Sequence, residues 1–145
     1  MPGIIVGIDG SAHSRRALEW AISEAAFRHA PLTVLTVHQA VVGYGGGPVS
    51  YPGDRDLTAQ AREVAQKETN DILDQFDEGS RPSVTVEAIS GLPAEELLRA
   101  SADADMIVVG SRGTGGFSRL LMGSVSSQVT HHAHCPIVII PTDRV

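Results

Sequence analysis

Lysine is nearly missing from this chain. Of its 11 basic residues ten are arginine and one, Lys67, is lysine, so any phosphate loop or reaction that depends on a lysine has one candidate position. Cysteine occurs once, at Cys135, which excludes an intramolecular disulfide. Positive charge is not in excess: the formal net charge is −6 and the isoelectric point near 5.4. Duplex binding draws on several Lys or Arg contacts to phosphates, so nucleic acid is not an expected partner. Long apolar runs are absent as well. Residues 107–109 and 137–140 are the longest, far short of the ~20 residues that span a bilayer, and no membrane association is expected. No charged segment followed by an apolar one opens the chain, which leaves the cytoplasm as the expected compartment. What remains is an ordinary globular composition, 42% apolar and 19% charged over 145 residues with a mean hydropathy of +0.03. That length suits one domain over residues 1–145.

Periodicity gives alternating elements. Ile4, Ile5, Val6 and Ile8 form a short apolar run ending at Asp9-Gly10-Ser11, which reads as a buried strand. A helix follows, capped by Ser11 or Ser14, with Ala17, Leu18, Ala21, Ile22, Ala25 and Ala26 on its buried face. Residues 32–38 read as a second strand just after the helix terminator Pro31. A loop then holds five glycines from Gly43 to Gly53 together with Pro48 and Pro52, and no pattern returns until Leu57. From a cap at Asp56, the residues Leu57, Ala61, Val64, Ala65, Ile72, Leu73 and Phe76 predict one helical face, broken by Glu68, with Lys67 outside. Strands at 84–88, 106–109 and 136–140 alternate with helices at 93–100 and 124–132.

Alternation of this kind implies crossovers, a parallel sheet and helices on both sides. The expected fold is α/β, a doubly wound five-stranded parallel sheet in strand order 3-2-1-4-5. Ligands in such folds bind beyond the carboxyl ends of the strands, where two neighbouring connections leave toward opposite faces. The loops after Ile8 and Val109 are therefore the ones to search.

The second of these loops is unusual. From Gly110 to Gly123 five of fourteen residues are glycine, and the stretch leads into a helix opened by Gly123, Ser124, Val125 and Ser126. Glycine lets main-chain N–H groups approach phosphate closely, and a helix start adds its positive dipole end and nearby hydroxyls. A flexible surface turn has the same local composition; the position at the predicted switch point favours the phosphate cradle. A Walker A loop requires a lysine that this loop lacks, and a dinucleotide fingerprint belongs after the first strand, where only Gly7-x-x-Gly10 is found. Phosphate charge then falls to main-chain dipoles, hydroxyls, a divalent cation and Arg112 or Arg119. Asp9 is the carboxylate placed to hold Mg2+, and as a helix-start residue it also has a capping role.

Gly110, Gly113, Gly123 and Ser124 satisfy Gly-x2-Gly-x9-Gly-Ser/Thr. With residues 4–11 and the terminal segment 132–140, the chain resembles the universal stress protein family, in its ATP-binding branch, over its whole length. The resemblance implies a fold like that of the adenine nucleotide alpha hydrolases and a cytoplasmic, usually homodimeric, nucleotide-dependent regulator or sensor with an unknown protein partner. It carries Gly7 and Asp9 to the ribose or adenine, and the main chain of Val37 to adenine. Gly110, Ser111 and Arg112 start the ribose and phosphate loop, Gly113, Thr114, Gly115 and Gly116 continue it, and Gly123, Ser124, Val125 and Ser126 take the terminal phosphates of ATP. The sequence departs from the family at one point: Thr36-Val37-His38 displaces a histidine that members often carry near the end of strand two.

Other groups have plainer readings. His131, His132, His134 and Cys135 have metal-ligand chemistry, but successive positions across a helix end point apart. Cys135 reads as a small core residue, Trp20 as packing, and Asp74, Asp77 and Glu78 as a solvated face. The apolar strand Ile137–Ile140 falls at a sheet edge, which invites pairing with a second copy. A regulatory ATP-binding module is the expected function. A slow ATPase or autophosphorylating enzyme using the same site is the alternative, and no clear general base accompanies it, with His13 only loosely placed. A flavin- or AMP-type binder of the same fold is a third reading.

Overall fold

Isoleucine and valine dominate residues 4–8, and β-branched side chains suit an extended backbone buried on both faces. In the computed structural model, which describes residues 3–39, 41–42, 48–49, 53–111 and 123–141, this run forms β1 (Ile4–Ile8). Ile4, Val6 and Ile8 enter one core cluster, and Ile5 packs against a second on the opposite side. The turn that follows leads into α1 (Ala12–Arg28), whose cap is Ser11, its hydroxyl accepting the Ser14 N–H. Ala17, Leu18, Ala21, Ile22 and Ala25 are buried along it, as their spacing requires. The helix ends at His29, which takes the left-handed conformation (φ 55°), and Pro31 prevents a restart.

The chain continues through β2 (Leu32–Gln39), β3 (Val41–Val42), β4 (Pro48–Val49), α2 (Asp54–Leu73), a 3-10 turn at Glu78–Ser80, β5 (Val84–Gly91), α3 (Pro93–Ser101), β6 (Met106–Gly110), α4 (Gly123–His132) and β7 (Ile137–Ile140). Five strands form one sheet in the order β5-β2-β1-β6-β7, and every pairing in it is parallel. Numbered within that sheet alone, the order is the expected 3-2-1-4-5. The first cluster joins the sheet to Leu18, Ile22, Ala65 and Ile72, the second to Leu97 and Val129. So α1 and α2 cover one face, and α3 and α4 the other.

Two local readings change. The glycine-rich stretch carries a small antiparallel pair, Val41 with Val49 and Val42 with Pro48, whose two-residue strands are too short to show a period. The helix α2 starts at Asp54, two residues before the expected cap. Gly53 begins it at φ 88°, a conformation that glycine adopts without a Cβ clash, and its carbonyl accepts the Leu57 N–H. The buried stripe of α2 is Ala65, Thr69 and Ile72, while Leu57 and Val64 are exposed. The expected face holds at Ala65 and Ile72, with Leu73 and Phe76 packed against the first cluster, and fails at Leu57 and Val64; Thr69 is buried with its hydroxyl satisfied by the Ala65 carbonyl at 2.7 Å and takes an apolar residue's place there.

Candidate functional site

The sheet's pairings do not end at one level. β1 and β2 stay paired to Ile8 and Thr36, β6 and β7 to Gly110 and Ile140, and β2 and β5 to Gln39 and Gly91. β1 and β6 stop at Val6 and Val108. The middle of the sheet therefore parts two residues before the ends of the two strands, between the strand that leads to α1 on one face and the strand that leads toward α4 on the other. This is the switch point. Gly7 stands where β1 leaves β6, and a Cβ on it would lie 3.1 Å from both Leu97 methyl carbons, so α3 packs tightly against the floor of the gap.

The β1–α1 turn forms one rim. Asp9 is exposed; its Oδ1 accepts the Ser11 N–H at 3.0 Å, and its own N–H donates to Ser14 Oγ at 3.2 Å. Ser14 is buried and also donates to the Ser11 carbonyl at 3.1 Å. The turn is thus knitted from within, which holds the Asp9 carboxylate at the strand end. An exposed anionic oxygen suits a cation that keeps several of its waters, as Mg2+ does. Ser14, read from the sequence as an alternative cap, is the organiser of this turn; its spacing of three from Ser11 was the available signal.

Across the gap, Ser111 donates its N–H to the Ile140 carbonyl at 2.9 Å. That donor is spent on β7, so the hydroxyl is the donor Ser111 has left to offer a ligand. Val37 is the first residue of β2 past the β1 pairing. Gly123, Ser124, Val125 and Ser126 form the first turn of α4, and the Val125 side chain packs against the second core cluster, which leaves main-chain groups as that residue's contribution. The structure thus sets Gly7, Asp9, Val37, Gly110 and Ser111 at the carboxyl ends of adjacent strands. Arg112, Gly113, Thr114, Gly115 and Gly116, and Arg119 beyond them, lie outside the described residues.

Electrostatically the Asp9 rim extends into the interface of α1 and α2. Glu68 on α2 has its carboxyl pushed above the ordinary range, chiefly by burial; Arg15 works against the shift, and the charges of Asp9, Asp71 and Glu19 add to it. Its Oε1 is shielded from solvent and has no hydrogen-bond partner among the described residues. Arg15 lies 3.7 Å from Glu19 on the same helix. Another polar group escaped the sequence reading: at the far ends of β2 and β5, Ser90 Oγ donates to Asp54 Oδ1 at 2.9 Å, and His38 Nε2 is 3.6 Å from the same oxygen.

The remaining candidates are ordinary. Burial raises the Cys135 thiol above its usual range, with the nearby Asp105 charge adding to this and a main-chain hydrogen bond at Ile107 opposing it; the residue packs against the second core cluster. The His131 and His132 rings lie 6.4 Å apart and are tilted by 53°, with His131 Nδ1 3.1 Å from the Ser127 carbonyl. Trp20 packs against the first core cluster. Asp74, Asp77 and Glu78 are exposed.

The sequence profile of the Universal stress protein family matches residues 2–141. The chain belongs to that family. Among individual universal stress proteins, one from Mycolicibacterium smegmatis is 34% identical over 142 residues, covering 97% of this chain and 48% of its own length. One from Mycobacterium tuberculosis is 33% identical over 143 residues, with the same coverages. The chain thus spans about half the length of these relatives. Among solved structures, universal stress protein UspA from Lactobacillus plantarum superposes with a TM-score of 0.70 at 24% identity, covering 96% of this chain and 97% of that one. A universal stress protein in complex with cAMP gives 0.67 at 23% identity and 98% coverage of both chains. The universal stress protein of Archaeoglobus fulgidus in complex with dAMP gives 0.57 at 23% identity, covering 97% of this chain and 98% of that one. These likenesses establish the universal stress protein fold. No helix among the described residues is long and apolar enough to cross a membrane.

Proposed function

We propose that this universal stress protein binds ATP in the gap between β1 and β6 and acts as a nucleotide-dependent regulator of the stress response in the cytoplasm. The observation that carries this reading is the early parting of β1 and β6 at Val6 and Val108, at the point where connections leave for opposite faces. Solved relatives with the same fold hold cAMP and dAMP, which supports an adenine nucleotide as the ligand class. In this reading Gly7, Asp9 and the main chain of Val37 meet the nucleoside. The loop from Gly110 through Ser111, Arg112, Gly113, Thr114, Gly115 and Gly116 carries the phosphates toward Gly123, Ser124, Val125 and Ser126. A lysine-free loop leaves phosphate recognition to main-chain N–H groups, hydroxyls and the start of α4. Mg2+ bound to the phosphates would take Asp9 as its protein ligand and would neutralise phosphate charge.

We further propose that residues 1–145 act as one domain and that two copies pair through β7. That strand lies at the sheet edge, with all four of its side chains half-buried, and an unpaired edge is a ready template for a second strand. The deciding experiment for the ligand is mass spectrometry of the small molecule released when the purified protein is denatured, followed by calorimetry with ATP and Mg2+. ATP in the released fraction, or saturable ATP binding, is expected. Finding neither an endogenous nucleotide nor any heat of binding would overturn the reading. Steady multiple turnover of ATP to ADP, or phosphate transferred to the protein itself, would replace it with the enzyme alternative.

A further inference from the structure

We infer that Asp54, with Ser90 and His38, is a positioning group that sets the base selectivity of the nucleotide site; this rests on the adenine nucleotide reading above. The strand β2 continues three residues past its pairing with β1, through Val37, His38 and Gln39, and over that length its sheet partner among the described residues is β5. The segment proposed to meet the base is therefore paired within the sheet on one side only. The pairs along it are Val37 with Ile89, His38 with Ser90 and Gln39 with Gly91.

Directly paired residues of neighbouring strands share a sheet face, so His38 and Ser90 share one. It is the face of α1 and α2, since Val34 and Val86, earlier in the same ladder, belong to the first core cluster. Asp54, the first residue of α2, closes onto both: 2.9 Å from Ser90 Oγ and 3.6 Å from His38 Nε2. The Asp54 and His38 side chains are 13% and 21% exposed. One carboxylate oxygen thus joins the end of β2, the end of β5 and the start of α2. The next turn of α2 locks the same residue, Thr58 Oγ1 donating to the Asp54 carbonyl at 2.8 Å. The clamp fixes the main chain on which Val37 is carried.

Position matters there for a chemical reason. A main-chain N–H and C=O can match the acceptor at N1 and the donor at N6 of adenine, whereas guanine presents a donor at N1 and an acceptor at O6. A fixed pair rejects the mismatched pattern because its own polar groups are left unpaired; a loose pair can shift and accept both. The clamp therefore bears on discrimination between bases, while the phosphate contacts at the other end of the site are untouched by it.

The test is calorimetry of ATP and GTP with Mg2+ on the wild-type chain and on Asp54→Asn, Ser90→Ala and His38→Gln, with a thermal melt of each. The wild type is expected to prefer ATP by about a hundredfold, and each variant to lose about tenfold of that preference, mainly by gaining GTP affinity. Asp54→Asn, which retains an oxygen acceptor for Ser90, should be milder than an Asp54→Ala companion. A folded variant that retains the full preference, or that loses ATP and GTP affinity by the same factor, overturns the inference while the binding site stands. If the wild type binds neither nucleotide, the functional reading falls, and this inference with it. Should Asp54→Asn fail to fold, Ser90→Ala and His38→Gln decide the question.

Discussion

The two ends of the sheet are built by different rules. At the amino ends of the strands, each entering chain is tied to its neighbour: Ile4 N–H to the Pro31 carbonyl, Leu32 N–H to Ser83, Asp105 N–H to Gly3 and Ile107 N–H to Pro136, all between 2.9 and 3.0 Å. At the carboxyl ends the pairings stop at three different levels, and polar side chains, Asp9, Ser11, His38, Asp54 and Ser90, take over. One end is closed by main-chain geometry and tolerates little change. Among the described residues the other is open and is furnished by side chains, which can be exchanged without dismantling the sheet.

Glycine substitutions test that contrast most directly. A Cβ on Gly3, at the closed end, would lie 2.4 Å from the Pro31 carbonyl oxygen and 2.8 Å from Pro31 Cγ. The oxygen is the acceptor of the Ile4 N–H, so neither side can yield cheaply. Gly3→Ala should lower unfolding stability by about 3 kcal/mol, within the range of overpacking, as read by urea denaturation; a loss near zero would mean that the closed end is softer than its hydrogen bonds imply. Gly110→Val, at the open end, or Gly113→Val, in the loop proposed to hold the phosphates, should weaken ATP binding by about tenfold, roughly 1.4 kcal/mol, with melting temperature nearly unchanged. Unaltered ATP affinity in both variants would break the phosphate cradle.

Gly10 sharpens the comparison. It also sits at the open end, at φ 84°, and a Cβ on it would meet nothing within 4 Å. Gly10→Ala therefore has no steric cost and only the left-handed backbone penalty, about 1 kcal/mol, clearly below that of Gly3→Ala in the same denaturation experiment.

The smallest effect is expected at Glu68. Its carboxyl is raised in the folded chain, so the folded state binds the proton more tightly than the unfolded state does. The stability this contributes is fully present below the ordinary glutamate range and is lost as pH rises through the raised value. Glu68→Gln should remove that slope and gain on the wild type between mildly acidic and neutral pH, as checked by melts across that range; parallel curves for the two proteins would show that the shielded Oε1 is hydrated after all.

Much of this architecture was legible in the chain. Apolar runs gave four strands of the main sheet to within a few residues, the alternation Val84, Val86, Ala88 gave the edge strand β5, whose Thr85 and Glu87 are exposed, and the alternation of strands with helices gave the order. The start of α2 was not, since the Asp56 cap rule knows nothing of a glycine held at positive φ. Its buried face was read correctly at Ala65 and Ile72 and wrongly at Leu57 and Val64, because a threonine whose hydroxyl is satisfied, Thr69, can be buried where polarity argues for exposure. The candidate site was legible as loops and not as contacts. The switch-point rule points to the loops after Ile8 and Val109, and the family resemblance adds Gly7, Asp9, Gly110 and Ser111 as expectations, but Ser90 and Asp54 are 36 residues apart and share no motif. The one trace of the clamp is that two apolar ladders, Leu32-Val34 and Val84-Val86, both turn polar or small at the level of Thr36-His38 and Ala88-Ser90.

Mechanically, the early parting of β1 and β6 makes the sheet two plates, β5-β2-β1 and β6-β7, joined by three strand-pair rungs. The helix α1 acts as a rivet across the seam: its Leu18 and Ile22 belong to the first core cluster, against which Val138 and Ile140 of β7 pack, and Arg16 reaches the Pro141 carbonyl at 2.7 Å. Any molecule lodged in the gap touches both plates and so stiffens the line along which the domain would otherwise shear.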